Sequence, residues 1–211
     1  MTEVVSIERD GPSRAREALE RTVSGGGVAI FPADTLYGLA CDPLNAGAIE
    51  RIHALKGRDE GKPSAVMYFS PLAMRELLSD LGPRARDAVA ALTPGAVTTV
   101  VANPRRRYPL ACREDPERLG LRLIAGALAG ASVAIFQTSA NRSGEPAPRR
   151  FEQLDPRILE GADVAIDGGD VGGSPSTVID LARIDEDGSW RILRQGPVPA
   201  TEIERTLATV A

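Results

Sequence analysis

The sequence has little of what metal, redox and membrane chemistry require. Its 211 residues include two cysteines, Cys41 and Cys112, and one histidine, His53. The cysteines form no Cys-x-x-Cys pattern and a lone histidine offers no ligand set, so zinc and dithiol chemistry are excluded and both thiols read as packing residues. Apolar runs are short. Val28–Phe31 and Ala131–Phe136 fall far below the roughly 20 residues of a membrane-spanning helix. The first ten residues carry Glu3, Glu8 and Asp10 and no basic start before an apolar block, unlike a signal peptide. A cytoplasmic protein with no membrane partner is therefore expected. Aromatic residues make up only 4%, which leaves few platforms for stacking bases. Positive charge is also short: 25 basic against 29 acidic residues give a net charge of −4, so bulk attraction to nucleic acid is excluded and any anion site must be local.

Lysine is scarcer still. Of the 25 basic residues 23 are arginine, and the two lysines, Lys56 and Lys62, share one segment, Lys-Gly-Arg-Asp-Glu-Gly-Lys, with Arg58. A lysine is a compact point charge that the planar arginine fork does not replace, so this clustering marks a candidate site.

Hydrophobic residues at 43% and charged residues at 26% match a globular chain, and the length suits a single domain over 1–211. Short β-rich runs alternate with helical periodicity from end to end, which predicts an α/β or α+β fold. Strands are expected at 4–7, 28–31, 65–69, 97–102, 119–124, 133–137, 162–166, 177–181 and 191–194. Helices are expected at 14–23 with Ser13 as N-cap, 46–55 between Asn45 and Gly57, from Pro71 with Ser70 as cap, 85–92 and 201–210. Pro32 should stop its strand, and the Pro/Arg-rich stretch holding Arg105, Arg106 and Arg107 reads as a mobile loop.

Four separated segments carry a resemblance: Phe31-Pro-Ala-Asp-Thr-Leu-Tyr-Gly-Leu39, Lys56-Gly-Arg58 with Lys62-Pro63, Ser139-Ala-Asn141 with Ser143-Gly144, and Ser176-Thr-Val-Ile-Asp180. In this order they resemble the YrdC-like family, the threonylcarbamoyl-AMP synthases, with weaker matches at Thr93–Thr98 and Arg191–Pro197. The resemblance covers nearly the whole chain and implies an open, twisted mixed α/β sheet with flanking helices and a concave, locally positive cavity. It also implies synthesis of threonylcarbamoyl-AMP and pyrophosphate from L-threonine, bicarbonate and ATP with Mg2+. Other proteins would then transfer the threonylcarbamoyl group to tRNA.

Forming a mixed anhydride at the α-phosphate develops negative charge, which fixed cations stabilise. The resemblance assigns Lys56 and Arg58 this catalytic role and places Lys62, Ser139, Asn141 and Arg194 with them on the nucleotide. It places Thr35, Arg122 and Ser176 on L-threonine. Read by residue type alone, Lys56 and Arg58 also suit a solvated helix end, Ser-Ala-Asn suits an ordinary turn, and Arg122 suits a solvent-facing strand position. Asp34 is a secondary candidate for a base or a magnesium ligand. Tyr37 should pack beneath its loop, Gly168–Gly173 should be a flexible loop, and His53 should pack without a chemical role.

The chain departs from its relatives where Met67 replaces a frequent histidine, where the segment between Arg122 and Ser139 is short, and at Ser64, Arg149 and Thr93. These changes gather on the amino-acid side. Two alternatives follow: a paralogue that holds nucleotide, double-stranded RNA or tRNA with help from Arg105–Arg107 and Arg149–Arg150, or an adenylate-forming enzyme with another carbamoyl donor or acceptor.

Overall fold

In the computed structural model, which describes residues 1–57 and 63–210, the β-rich runs become ten strands among the described residues. They are β1 (Glu3–Ser6), β2 (Ala29–Pro32), β3 (Tyr37–Cys41), β4 (Val66–Tyr68), β5 (Val97–Ala102), β6 (Arg118–Leu123), β7 (Ile135–Ser139), β8 (Val164–Asp167), β9 (Thr177–Asp180) and β10 (Arg191–Arg194). All lie in one open mixed sheet of order β1-β8-β2-β3-β7-β4-β6-β5-β9-β10. Parallel pairs join β1 to β8, β8 to β2, β4 to β6 and β5 to β9, and the other neighbours run antiparallel.

The helices are α1 (Ile7–Asp10), α2 (Pro12–Ser24), α3 (Ala46–Lys56), α4 (Pro71–Leu78), α5 (Pro83–Leu92), α6 (Pro109–Cys112), α7 (Pro156–Gly161), α8 (Ile184–Asp187) and α9 (Ala200–Leu207). Local chemistry sets several ends. The Asn45 side chain accepts from the Ala48 N–H at 3.0 Å and Ser70 from the Ala73 N–H at 3.2 Å, while Gly57, at φ 56°, closes α3 in the left-handed conformation.

Most boundaries shift by a few residues, and three of the shifts have a plain physical reason. Gly11, not Ser13, precedes α2, because Pro12 suits the first helical position with its fixed φ and missing N–H. Pro32 is the last residue of β2, paired with Tyr37 across the turn into β3, where a missing donor costs the ladder little. The strand expected at 133–137 runs from Ile135 to Ser139, so Ser139 belongs to the ladder, opposite Gly38. The stretch read as mobile is tied down instead: the Asn103 carboxamide donates to the Arg107 and Pro116 carbonyls, and Arg105 and Arg107 both pair with Asp80.

Side-chain alternation divides the sheet into two faces. Along β6, Leu119, Leu121 and Leu123 enter the larger apolar cluster, which α3, α4, α5, α7 and α9 complete. The opposite face is covered at one end of the sheet only, where α2 and residues 124–131 bury Ala29, Phe31, Ala40, Met67, Ile135, Val164 and Ile166. At the other end that face is open, and a site forms there. Among the described residues no helix is long and apolar enough to cross a membrane.

Candidate functional site

The uncovered face forms the floor of a cavity of about 580 Å³, a volume suited to a small-molecule site. Gly120 and Arg122 of β6, Thr98 and Val100 of β5, Val178 of β9 and Gln137 and Ser139 of β7 line it, with Thr35 and Ser176 projecting from strand ends. Gly120 keeps the floor deep, since a Cβ there would sit 3.2 Å from Ala65. Among the described lining residues are three arginines, of which Arg122 pairs with Asp34 and Arg118 with Asp115 and Asp180, while Arg194 turns to the Ser176 carbonyl.

Arg122 sits at the inner end, 5% exposed. Its Nη2 donates to the Asp34 carboxylate and, at 3.0 Å, to the Thr35 hydroxyl. The Nε–H, also buried, has no acceptor among the described residues. Burial pulls the Arg122 pKa down from its ordinary range and Arg194 adds to this, against the attraction of Asp34. Burial likewise pushes the Asp34 carboxyl up, against the attraction of Arg122. An arginine begins so far above neutrality that it keeps its proton, leaving a dry, charged guanidinium in the cavity lining.

The facing wall is built on Ser176. Its hydroxyl meets the Thr98 hydroxyl at 2.8 Å, and Arg194 donates to the Ser176 carbonyl from Nη2 at 2.9 Å and from Nε at 3.2 Å. Burial lowers the Arg194 pKa. Gly196 lets the chain leaving β10 pass close to this wall, because a Cβ there would lie 2.3 Å from the Thr177 nitrogen and 2.4 Å from the Pro175 oxygen.

Lys56, Ser139 and Asn141 also come together, in an unexpected arrangement. Lys56 is 4% exposed and does not line the cavity. Its ammonium donates to the Ser139 carbonyl and, at 2.7 Å, to the Asn141 carbonyl. The C-terminal turn of α3 packs under the end of β7, which brings the ammonium onto backbone oxygen. The Asn141 carboxamide is similarly engaged, donating to the Arg142 and Glu145 carbonyls at 2.9 and 2.6 Å. Arg58 and Lys62 lie outside the described residues.

Other candidates divide between cavity and scaffold. Tyr37 is buried, its hydroxyl donating to the Gly169 carbonyl and accepting from the Gly168 N–H, and burial pushes its pKa up to about 12. These bonds, with Gly173 N–H to the Thr35 carbonyl at 2.5 Å, fasten the glycine-rich stretch over the Thr35 loop. His53 packs edge-on to Phe136, with Arg113 2.6 Å from its Nε2, outside the cavity lining. Burial raises the thiols of Cys41 and Cys112 to about 12 and about 11, which keeps them protonated. The sequence reading missed Thr98, Asp115 and Arg118; alternation from Gly120 and Arg122 along β6 was the available signal for Arg118. Among the described residues no three histidine, cysteine or carboxylate side chains converge to hold a metal.

Comparison with known proteins places this geometry. The Sua5/YciO/YrdC family model, described as telomere recombination, matches residues 21–196. A threonylcarbamoyl-AMP synthase of Thiobacillus denitrificans is 34% identical over 175 residues, covering 80% of this chain and 92% of that one. The crystal structure of P. abyssi Sua5 complexed with L-threonine superposes with a TM-score of 0.79 at 27% identity, over 98% of this chain and 60% of that longer one. E. coli YciO shares the fold with a TM-score of 0.78 at 24% identity, over 96% of this chain and all of that one.

Proposed function

The chain belongs to the Sua5/YciO/YrdC family, and from that premise we propose that it makes threonylcarbamoyl-AMP from L-threonine, bicarbonate and ATP. The threonine nitrogen bonds to the bicarbonate carbon with loss of water, giving a carbamate. A carbamate oxygen then bonds to the α-phosphorus of ATP, and pyrophosphate leaves with the electrons of the broken P–O bond.

The observation that carries this reading is the buried Arg122 guanidinium beside the Thr35 hydroxyl, both in the lining of one cavity. That pair recognises a carboxylate and a hydroxyl or amine on one small molecule. Ser176, braced by Thr98 and Arg194, supplies the opposite contact. The same lining also includes Ser139, and we assign the nucleotide to that end, with Asn141, Arg194, Arg58 and Lys62 given to it by the family motif. No protein nucleophile is needed: the work is alignment of carbamate and α-phosphate and stabilisation of developing charge by fixed donors.

The described residues offer no cage for Mg2+; the ion enters with the triphosphate, its usual route into such sites, and supplies charge neutralisation there. The product passes to proteins that transfer the threonylcarbamoyl group to tRNA in the cytoplasm. Direct holding of RNA finds less support, since Arg105, Arg106 and Arg107 are each paired with a carboxylate. The test is pyrophosphate release by pure protein given ATP, Mg2+, bicarbonate and a panel of amino acids and carbamoyl donors. Release that needs L-threonine supports the proposal; release that ignores the amino acid refutes it.

A further inference from the structure

Four carbonyl oxygens in the stretch 139–145 are drawn to two side chains. Lys56 Nζ takes those of Ser139 and Asn141, and Asn141 Nδ2 takes those of Arg142 and Glu145. The Asn141 Oδ1 lies 3.5 Å from the same ammonium, and the Lys56 carbonyl accepts from the Ser143 N–H at 2.8 Å. The lysine thus grips the turn from both its side chain and its backbone. A trans peptide sets its N–H opposite its C=O, and the peptides of this turn are trans. With the Ser139 and Asn141 carbonyls aimed at the ammonium, the N–H groups of Ala140 and Arg142 point to the other side. The Ala140 N–H completes the sheet ladder on the Tyr37 carbonyl at 2.9 Å. The Arg142 N–H has no acceptor among the described residues. The turn is flanked by Ser139 and Ala147, which both line the cavity. A buried cation behind the carbonyls and the Arg142 N–H on the other side give the turn the polarity of an anion receptor.

We propose that Lys56 is a positioning residue: it sets the polarity of the 139–145 turn so that the turn's backbone N–H groups, Arg142 foremost, meet the nucleotide phosphates, while the ammonium stays on the carbonyls. The inference rests on the reading that this cavity takes a nucleotide. It differs from direct contact in a measurable way, because Lys56 is buried outside the cavity lining and its ammonium would have to shift to reach a phosphate there.

The scarcity of lysine makes the experiment simple. Protein labelled with 15N-lysine has two side-chain ammonium signals, and Lys62→Arg assigns them. In the nucleotide-free protein the Lys56 signal should be visible through slow exchange with water. On adding ATP it should stay in place while the backbone amides of 140–144 shift. Movement of the Lys56 ammonium with still turn amides overturns the inference and leaves nucleotide binding standing. If neither moves while threonine-dependent pyrophosphate release continues, the turn is not the phosphate site and the inference fails alone; if that release is absent too, the functional reading fails with it. A second measurement uses Lys56→Met without nucleotide: amide exchange across 140–145 should rise, and KM for ATP should rise roughly tenfold or more. A higher KM with unchanged exchange overturns the inference.

Discussion

The Arg122 guanidinium and the Asp34 carboxylate, 88 residues apart in the chain, form an ion pair at the closed end of the cavity. Asp34 lies just beyond the end of β2 and Arg122 sits in β6, so the pair spans the seam where the sheet passes from covered to open face. It occupies Nη2, one edge of the guanidinium. Burial weakens the charged state of both groups, so each depends on the other.

That dependence predicts a characteristic double-mutant cycle. Arg122→Ala leaves a buried carboxylate without its cation and should lower unfolding free energy by about 3–5 kcal/mol in urea denaturation. Asp34→Asn in the same protein should recover at least about 1 kcal/mol of this. Additive losses would show that the two groups do not share one site.

The Thr98 hydroxyl meets that of Ser176, the residue proposed to contact the amino acid, so its removal should be read there. Thr98→Val takes away the hydroxyl that meets Ser176 and should cost about 1 kcal/mol of stability. KM for L-threonine should rise several-fold with kcat and KM for ATP nearly constant. A fall in kcat at unchanged KM would place Ser176 away from the amino acid.

Gly196 has no room for a methyl group. Gly196→Ala must push the 195–198 backbone off Pro175 and Thr177, carrying Ser176 with it, at a cost of about 1–3 kcal/mol. A lower melting temperature together with a raised KM for L-threonine is expected; calorimetry and steady-state kinetics on one sample check both.

Acid stability should depend on Asp163. Burial raises its carboxyl pKa, but bonds from Arg51 and the Val28 N–H outweigh burial, and the net shift is below the ordinary 3.8. A depressed folded pKa gives stability that is complete above 3.8 and lost as pH falls through the lower folded value. Asp163→Asn should therefore flatten the loss of urea midpoint on the acid side of that pH, with the largest deficit above it. Parallel curves for the two proteins would show that the carboxylate contributes nothing. Asp34 acts in the opposite sense, since its raised pKa makes stability fall as pH rises just above its ordinary value.

Much of the fold was legible because period-two alternation and helix caps act locally. Ser70, Asn45 and Gly57 mark helix ends that the backbone obeys. The four- to six-residue helices α1, α6, α7 and α8 are too short to display a period, and β3 was hidden behind a proline read as a stop. The site was legible as a set of residues, since Thr35, Arg122, Ser176 and Arg194 gather in one hollow. Their partners were not. Nothing local in the sequence joins Arg122 to Asp34 or Ser176 to Thr98, because sheet order makes those contacts. Nor does a lysine's charge reveal its burial: Lys56 reads as a surface cation until the end of β7 is laid over it.

The measurement closest to the central claim is calorimetric titration with L-threonine and with L-threoninamide, which keeps the amine and hydroxyl but lacks the carboxylate. If Arg122 is the carboxylate receptor, L-threonine binds and the amide binds at least about a hundredfold more weakly, as expected for loss of a desolvated charged contact. Arg122→Gln should then remove most of that difference. Equal binding of the two ligands to the unaltered protein would contradict the account.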